Sequence, residues 1–445
     1  MIALIAGPAK PRRSMQGLGL PYLAAVLEEA GFKPEIYDLY PSSPDTDDPA
    51  VLDELLADAI AEKQPEIVGI TIHTPDYVSR VRLARLLRER LPHTLLVAGG
   101  HHPSAEPEHL LRNSDFDVCV IGEGERTLLQ IAERLAADAG VGADDWLRDI
   151  KGVVYERESQ VMRTKSRTPV DDLDSLPFPA HHLLGLENYA AHPSHGIKGT
   201  SIITYRGCPM RCAFCLNPQS HRVRRRSPAL VVKEMTWLVK GLGIRGFSFH
   251  DNLFGLSRKH ALALCEEIIE QRPDVFWDCW TAGDLVDAEL ATKMKAAGCI
   301  SVGFGAESGD DQVLQMVKRG FTAAQNQAGI DALRGSGLIV DAFFMVGLPG
   351  ESKESVRRTI DFAARCGADK IHLSVYRPYP GTAVWTDPES FGVRLTKGEN
   401  FEAYIETESL SRTEILESVQ RGIEELKQAG FVKVETLRCD QYEWE

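Results

Sequence analysis

Along the first third of the chain, apolar and polar positions alternate between two periods. Short apolar runs at 2–6, 34–39, 67–72, 94–98 and 118–121 have the length and side-chain types of β-strands. Between them lie stretches whose apolar residues recur every three or four positions. The clearest covers 51–63 and puts Leu52, Leu55, Leu56, Ala59 and Ile60 at helical spacing; others cover 21–30, 78–90 and 127–137. Strands that alternate with helices in this way predict a doubly wound, Rossmann-like parallel sheet. Ligands bind such sheets outside the carboxyl ends of the strands. Glycines collect at those ends: Gly17 and Gly19, then Gly99 and Gly100, then Gly122 and Gly124 on either side of Glu123. Lacking a side chain, they let backbone approach a bulky ligand closely.

A connector follows over 141–197. It holds a hairpin pattern at 152–157 and 160–165 and an acidic, proline-rich passage at 171–180. From 198 to 385 strand and helix patterns alternate again. Strands are expected near 201–205, 246–252, 276–282, 300–307, 340–346 and 370–376, each but the last followed by a helical segment. Six such units make a partial (β/α)6 barrel, open on one side, unlike the closed eight-strand form. Residues 386–445 form a small α/β tail, with a helix inside 410–429 (Ile415, Val419, Ile423, Leu426) and an edge strand at 431–437. The domain plan is thus 1–140, 141–197, 198–385 and 386–445.

Composition narrows the setting. The 445 residues are 43 % hydrophobic, enough for large cores, and carry a net charge of −14, which argues against nucleic acid as the main partner. No apolar run reaches about 18 residues, so no membrane span is expected. Residues 1–8 read as a first strand and not as a signal peptide, since no basic region precedes the apolar run. The nine cysteines are scattered singly apart from one group, a usage that suits a reducing cytoplasm.

That group is Gly207-Cys208-Pro209-Met210-Arg211-Cys212-Ala213-Phe214-Cys215, spaced C-x3-C-x2-C. Gly207 and Pro209 break the preceding strand into a loop, and a loop can wrap three thiolates around one inorganic centre. Three objects compete for it. Zinc wants four ligands, and His221 is the candidate to complete a Cys3His site. An iron–sulfur cubane is usually held by four thiolates, so three would leave one iron open to a small molecule. The third reading is chance placement. Beyond the loop, Arg222, Arg224, Arg225 and Arg226 read as a solvated rim or, alternatively, as an anchor for an anionic group.

With Phe214 before its last thiol, the motif resembles the radical S-adenosylmethionine (SAM) superfamily. The resemblance implies that Cys208, Cys212 and Cys215 hold a [4Fe–4S] cluster whose open iron is chelated by SAM. One electron then cleaves the sulfonium to a 5′-deoxyadenosyl radical. It also implies that Phe214 lies near the adenine, and that Asp251 and Glu307 match SAM-contacting positions. Ala282 departs from the arginine common in relatives, which puts that wall of the pocket in doubt.

The first domain resembles the cobalamin-binding domain of one branch of that superfamily. The motifs are Gln16-Gly17-Leu18-Gly19-Leu20-Pro21-Tyr22-Leu23-Ala24, Gly99-Gly100-His101-His102-Pro103 and Gly122-Glu123-Gly124-Glu125-Arg126-Thr127. Gly17, Gly19, Thr71, Gly99, Gly100, His101, Gly122, Glu123 and Gly124 are the implied corrin contacts, His101 and His102 packing against propionamides. The D-x-H-x-x-G of histidine-ligated corrins is missing, so base-off cobalamin is expected. Together the resemblances imply a cobalamin-dependent radical SAM enzyme that methylates an unactivated carbon of a small-molecule substrate. A one-electron reductant such as flavodoxin or ferredoxin would serve it. A radical rearrangement, ring contraction or cyclisation without methyl transfer is the second reading, and a non-catalytic zinc-binding module the third.

Overall fold

The computed structural model describes residues 1–6, 17–37, 48–137, 146–186, 196, 199–216, 220–271, 273–431 and 434–435. The expectations at residues 7–11, at Gln16 and over 436–437 lie outside them. Two compact units emerge, Met1–Ala190 and Ala191–Glu445.

The first unit is built on a seven-stranded sheet. Its strands are β1 (Ile2–Ile5), β2 (Pro34–Tyr37), β3 (Ile67–Thr71), β4 (Leu95–Gly99), β5 (Val118–Val120), β6 (Val153–Arg157) and β7 (Gln160–Arg163), in the order 2-1-3-4-5-6-7. The first five run parallel, and β6 and β7 join antiparallel. Every residue of β1 is buried, as expected of a central strand covered on both faces. The β6–β7 turn puts Glu158 and Ser159 at φ 50° and 62°, the left-handed pair that a two-residue hairpin favours. Residues 146–186 belong to this unit, so the hairpin extends the first sheet.

One helical face differs from its pattern. The helix Pro49–Lys63 buries Leu52, Leu56 and Ile60, but Leu55 is exposed. Its place on the inner face goes to Asp53, 2 % exposed, which accepts hydrogen bonds from Ser79 and Arg82 of the next helix. A partnered carboxylate can be buried at tolerable cost, and hydropathy alone does not foresee it.

The second unit carries β8 (Gly199–Ile202), β9 (Tyr205–Arg206), β10 (Arg224–Arg225), β11 (Gly246–Phe249), β12 (Phe276–Thr281), β13 (Cys299–Glu307), β14 (Ile339–Val346), β15 (Lys370–Val375), β16 (Val393–Lys397), β17 (Ala403–Thr407) and β18 (Val434–Glu435). The main sheet runs 18-15-14-13-12-11-8, all parallel. Six strands therefore follow one another in chain order, as the βα repetition requires. Helices cover one face. There Phe247, Phe249, Trp277, Cys279, Val302, Phe304, Ala342, Phe344, Ile371 and Leu373 form one buried cluster with helix side chains. Their strand neighbours point to the opposite, concave face.

Two features depart from expectation. The strand foreseen at 201–205 stops at Ile202 and resumes as β9, which turns away to pair with β10. The tail contains an antiparallel hairpin, β16–β17, that its polar sequence concealed. Its helix, Arg412–Gln428, buries Ile415, Val419, Ile423 and Leu426 as the spacing indicates, and Ser411 with Glu414 forms a capping box at its start. Among the described residues no helix is long and apolar enough to cross a membrane.

Trp277 anchors the helix-side core. It is fully buried, stacks on Phe249 with ring centroids 4.7 Å apart, and donates its indole N–H to the Ala297 carbonyl at 2.8 Å. Trp277→Ala should therefore cost about 3–5 kcal/mol, read as a lower urea midpoint with little change in slope.

Candidate functional site

The thiol loop leaves and re-enters the second sheet through one narrow root. Thr204 and Tyr205 donate backbone N–H groups to Asp251 Oδ1 at 2.7 and 3.2 Å, and the Thr204 hydroxyl donates to Oδ2. Tyr205 also donates its hydroxyl to the Leu253 carbonyl at 2.7 Å. The antiparallel β9–β10 pair closes the root. Gly207 makes the crossing possible: its φ is +96°, and a Cβ there would stand 2.3 Å from the Arg222 carbonyl oxygen. Farther out, Cys208 donates its N–H to the Ser220 carbonyl and Ala213 to the Val317 carbonyl.

Asp251, at a position matched to SAM contact, is 3 % exposed and spends both oxygens on the loop's root, so it braces the loop. The basic run after the loop is corrected. Arg222 and Arg225 are exposed, but Arg224 and Arg226 are buried, and Arg226 pairs with the fully buried Glu234 at 2.5 Å. A buried carboxylate on the following helix turns half of an apparent rim into an internal tie.

Around the three thiols the structure adds a residue that the sequence did not single out. Arg319, 5 % exposed, directs Nη1 at Cys212 Sγ (3.8 Å), donates Nη2 to the Gly305 carbonyl (2.8 Å), and lies 3.3 Å from Glu307. Burial pushes all three thiols up, Cys215 to about 12, while Arg319 pulls them down. Burial likewise pushes Glu307 up, and Arg319 opposes it. Glu307 takes the left-handed φ of 66° at a β-bulge, which turns its side chain toward Arg319. Phe214 meets Tyr376 edge-on at 6.5 Å.

The donor set suits a cluster better than a single ion. Among the described residues, no three Cys, His, Asp or Glu side chains converge on one metal-ion position, as zinc with ligands at ~2.0–2.3 Å would require. His221 places Nδ1 3.3 Å from the Cys208 carbonyl oxygen. A four-iron object is larger than one ion, and its positive charge would balance three thiolates.

In the first unit the implied corrin contacts gather at the carboxyl ends of the strands. Thr71 and Gly99 are register partners at the ends of β3 and β4. Among the described residues, a Cβ on Gly17, Gly19 or Gly99 would meet nothing within 4 Å beyond its chain neighbours, and none of the three has a positive φ. Packing among the described residues gives no reason for glycine there, and backbone open in this way admits a large ligand. Gly122 is equally open, with φ +77°. Gly100 differs: its φ is +102°, and a Cβ would lie 2.9 Å from the Ile72 carbonyl oxygen. Gly124 packs against Leu23.

Glu123, expected at the corrin, accepts the Val170 N–H at 2.9 Å and ties the later segment to the sheet. His101 sits 5.1 Å from His73, ring to ring; burial and that neighbour lower it to about 4, so it is neutral at pH 7. His102 is fully buried with Nδ1 3.2 Å from the Thr74 hydroxyl.

Comparison with known proteins agrees with both halves. The Radical SAM superfamily profile matches residues 202–363, and the B12 binding domain profile matches residues 9–132. The chain is 29 % identical over 371 residues to an uncharacterized methyltransferase of Pyrococcus horikoshii, covering 83 % of this chain and 77 % of that one. It is 30 % identical to the anaerobic magnesium-protoporphyrin IX monomethyl ester cyclase of Rubrivivax gelatinosus, covering 81 % of this chain but only 64 % of the cyclase. Its fold matches that of the radical SAM methyltransferase TsrM from Kitasatospora setae, with a TM-score of 0.72 at 22 % identity over 89 % of this chain and 81 % of that one.

Gly99→Ala should leave the unfolding midpoint nearly unchanged yet weaken hydroxocobalamin binding about tenfold. Gly100→Ala should lower both, by about 1–3 kcal/mol in stability. Glu351, in the turn after β14, accepts the Gly347 and Leu348 N–H groups, and burial raises it to about 8. The unfolded chain ionises first as pH rises. Its contribution is therefore full below about 4.5, falls between about 4.5 and 8, and is level above. Glu351→Gln should flatten that fall in a series of urea melts.

Proposed function

We propose that this chain, which belongs to the B12-binding radical SAM enzymes, methylates an unactivated carbon of a small molecule. One observation carries the reading: a loop that carries three cysteines at C-x3-C-x2-C beside Arg319 in one unit accompanies an open glycine cradle in the other. When bound, the cluster and the corrinoid supply, respectively, the electron that cleaves SAM and the methyl group to be transferred.

The chain's own residues supply placement and charge. Cys208, Cys212 and Cys215 hold the cluster. Arg319 offsets the thiolates' negative charge and, with the bulge at β13, aims Glu307 at the SAM side of the site. Asp251 holds the loop's root still. Phe214 offers a ring edge for adenine, and Gly17, Gly19, Gly99 and Gly122 admit the corrin to the backbone of the first sheet. The substrate is a small molecule, and reduction comes from a one-electron carrier of the flavodoxin or ferredoxin kind.

The relative of Pyrococcus horikoshii is named as a methyltransferase, which supports methyl transfer. The relative of Rubrivivax gelatinosus is named as a cyclase, which keeps open a radical cyclisation that uses the same two cofactors. Membership of the family sets aside the zinc-module reading.

Anaerobic reconstitution with iron, sulfide and hydroxocobalamin tests the proposal. Wild-type protein should turn brown and form 5′-deoxyadenosine from SAM under reduction. Cys208→Ala, Cys212→Ala and Cys215→Ala should each abolish it. A product heavier by one CH2 unit supports methylation, whereas a product without that gain favours cyclisation.

A further inference from the structure

The concave face of the second sheet carries an aromatic group that the thiol loop does not use. Trp280, Phe343 and His372 lie on this face, because Cys279, Phe344 and Leu373 beside them are buried in the helix-side core. Trp280 lies over Gly303, its register partner on β13: a Cβ on Gly303 would stand 2.7 Å from the indole Cδ2 and 3.0 Å from Cε2. From there the indole meets Phe343 with centroids 4.5 Å apart. Phe343 in turn stacks on His372 at 4.2 Å, the planes only 4° apart. Three strands thus contribute an aromatic group across β12, β14 and β15, the indole plane tilted 42° to that of Phe343, and the missing side chain at position 303 lets the indole lie across β13.

The shelf stands beside the reactive end of the site. Phe343 is the register partner of Gly305, and a Cβ on Gly305 would meet both Arg319 Nη2 and Glu307 Oε1 at 2.8 Å. The shelf therefore reaches the strand level of the pair that neighbours Cys212. Lower on the same face the residues are polar: Ser248 donates to Asp278 at 2.6 Å, and Lys370 pairs with Asp341 at 3.5 Å. Inward side chains of such sheets usually fill the interior in packed layers. Here the largest of them, Trp280, stays 38 % exposed. The indole face left open beside the Phe343–His372 pair is matched by a planar ring, since offset stacking adds to simple area burial.

We infer that Trp280, Phe343 and His372 form the substrate subsite, and that the substrate presents a planar aromatic or heteroaromatic ring to it. This rests on the radical SAM reading for the nature of the neighbouring centre. The adenine of SAM is the other planar ring available, so the test separates the two.

Full-length reconstituted protein is titrated with 2-naphthol, with decahydro-2-naphthol, its non-planar counterpart, and with adenosine, binding being followed by ligand-observed NMR. Wild type should bind 2-naphthol about tenfold more tightly than the saturated alcohol. Trp280→Leu should lose most of that preference while adenosine binding persists; Phe343→Leu serves as the second variant if the first fails to fold. Equal binding of the two alcohols, no binding of 2-naphthol, or a preference intact in a folded variant overturns the inference. So does a loss confined to adenosine, which would assign the shelf to SAM. Formation of 5′-deoxyadenosine by the wild-type sample is measured alongside. If it occurs while the alcohols bind equally, the shelf alone is wrong; if it does not occur, the radical SAM reading fails.

Discussion

The second unit's chemistry depends on the grip of Asp251 on the root of the thiol loop. One buried carboxylate takes two backbone N–H groups and a hydroxyl from consecutive residues, Thr204 and Tyr205. Burial pushes the carboxyl up and the donors counter that push, leaving it at about 6. Because the grip sits at the end of β11, it fixes the point from which the thiol loop departs. Gly207 then allows the return strand to pass within contact of the outgoing one. Preorganisation of this kind lets a short loop present three ligands without help from a regular helix.

Charge is the second constraint. Arg319 directs one nitrogen at Cys212 and pairs with Glu307, and its charge opposes the burial that pushes the thiols and this carboxylate up. An arginine suits this place because it stays charged when buried and offers several donors in one plane. Its fork serves Cys212 and the Gly305 carbonyl at once, tying the loop to β13. The left-handed backbone of Glu307 shows strain placed where side-chain direction matters.

Much of this was legible in the sequence. Strand and helix order, the parallel sheets, the loop at 207–215 and the glycine turns all follow from local periods and turn residues, which act over a few positions. What stayed hidden depends on distant partners. Arg319 looks like any charge after a short helix until the fold sets it beside Cys212. Arg226 looks solvated until Glu234 meets it, and Asp53 looks misplaced on an apolar face until Arg82 arrives. Asp251 and Glu123 stood out as polar residues at strand ends, but sequence does not say whether such a residue faces a ligand or its own backbone. The hairpin at 393–407 escaped because its strands are short and half polar.

The central claim is that three thiolates hold a four-iron cluster with one iron left for SAM. Electron paramagnetic resonance of the reconstituted, reduced protein, recorded with and without SAM, tests it most directly. The account predicts a reduced [4Fe–4S] signal whose g-values move when SAM is added. A signal indifferent to SAM, or a protein that takes up zinc and no iron, would contradict it.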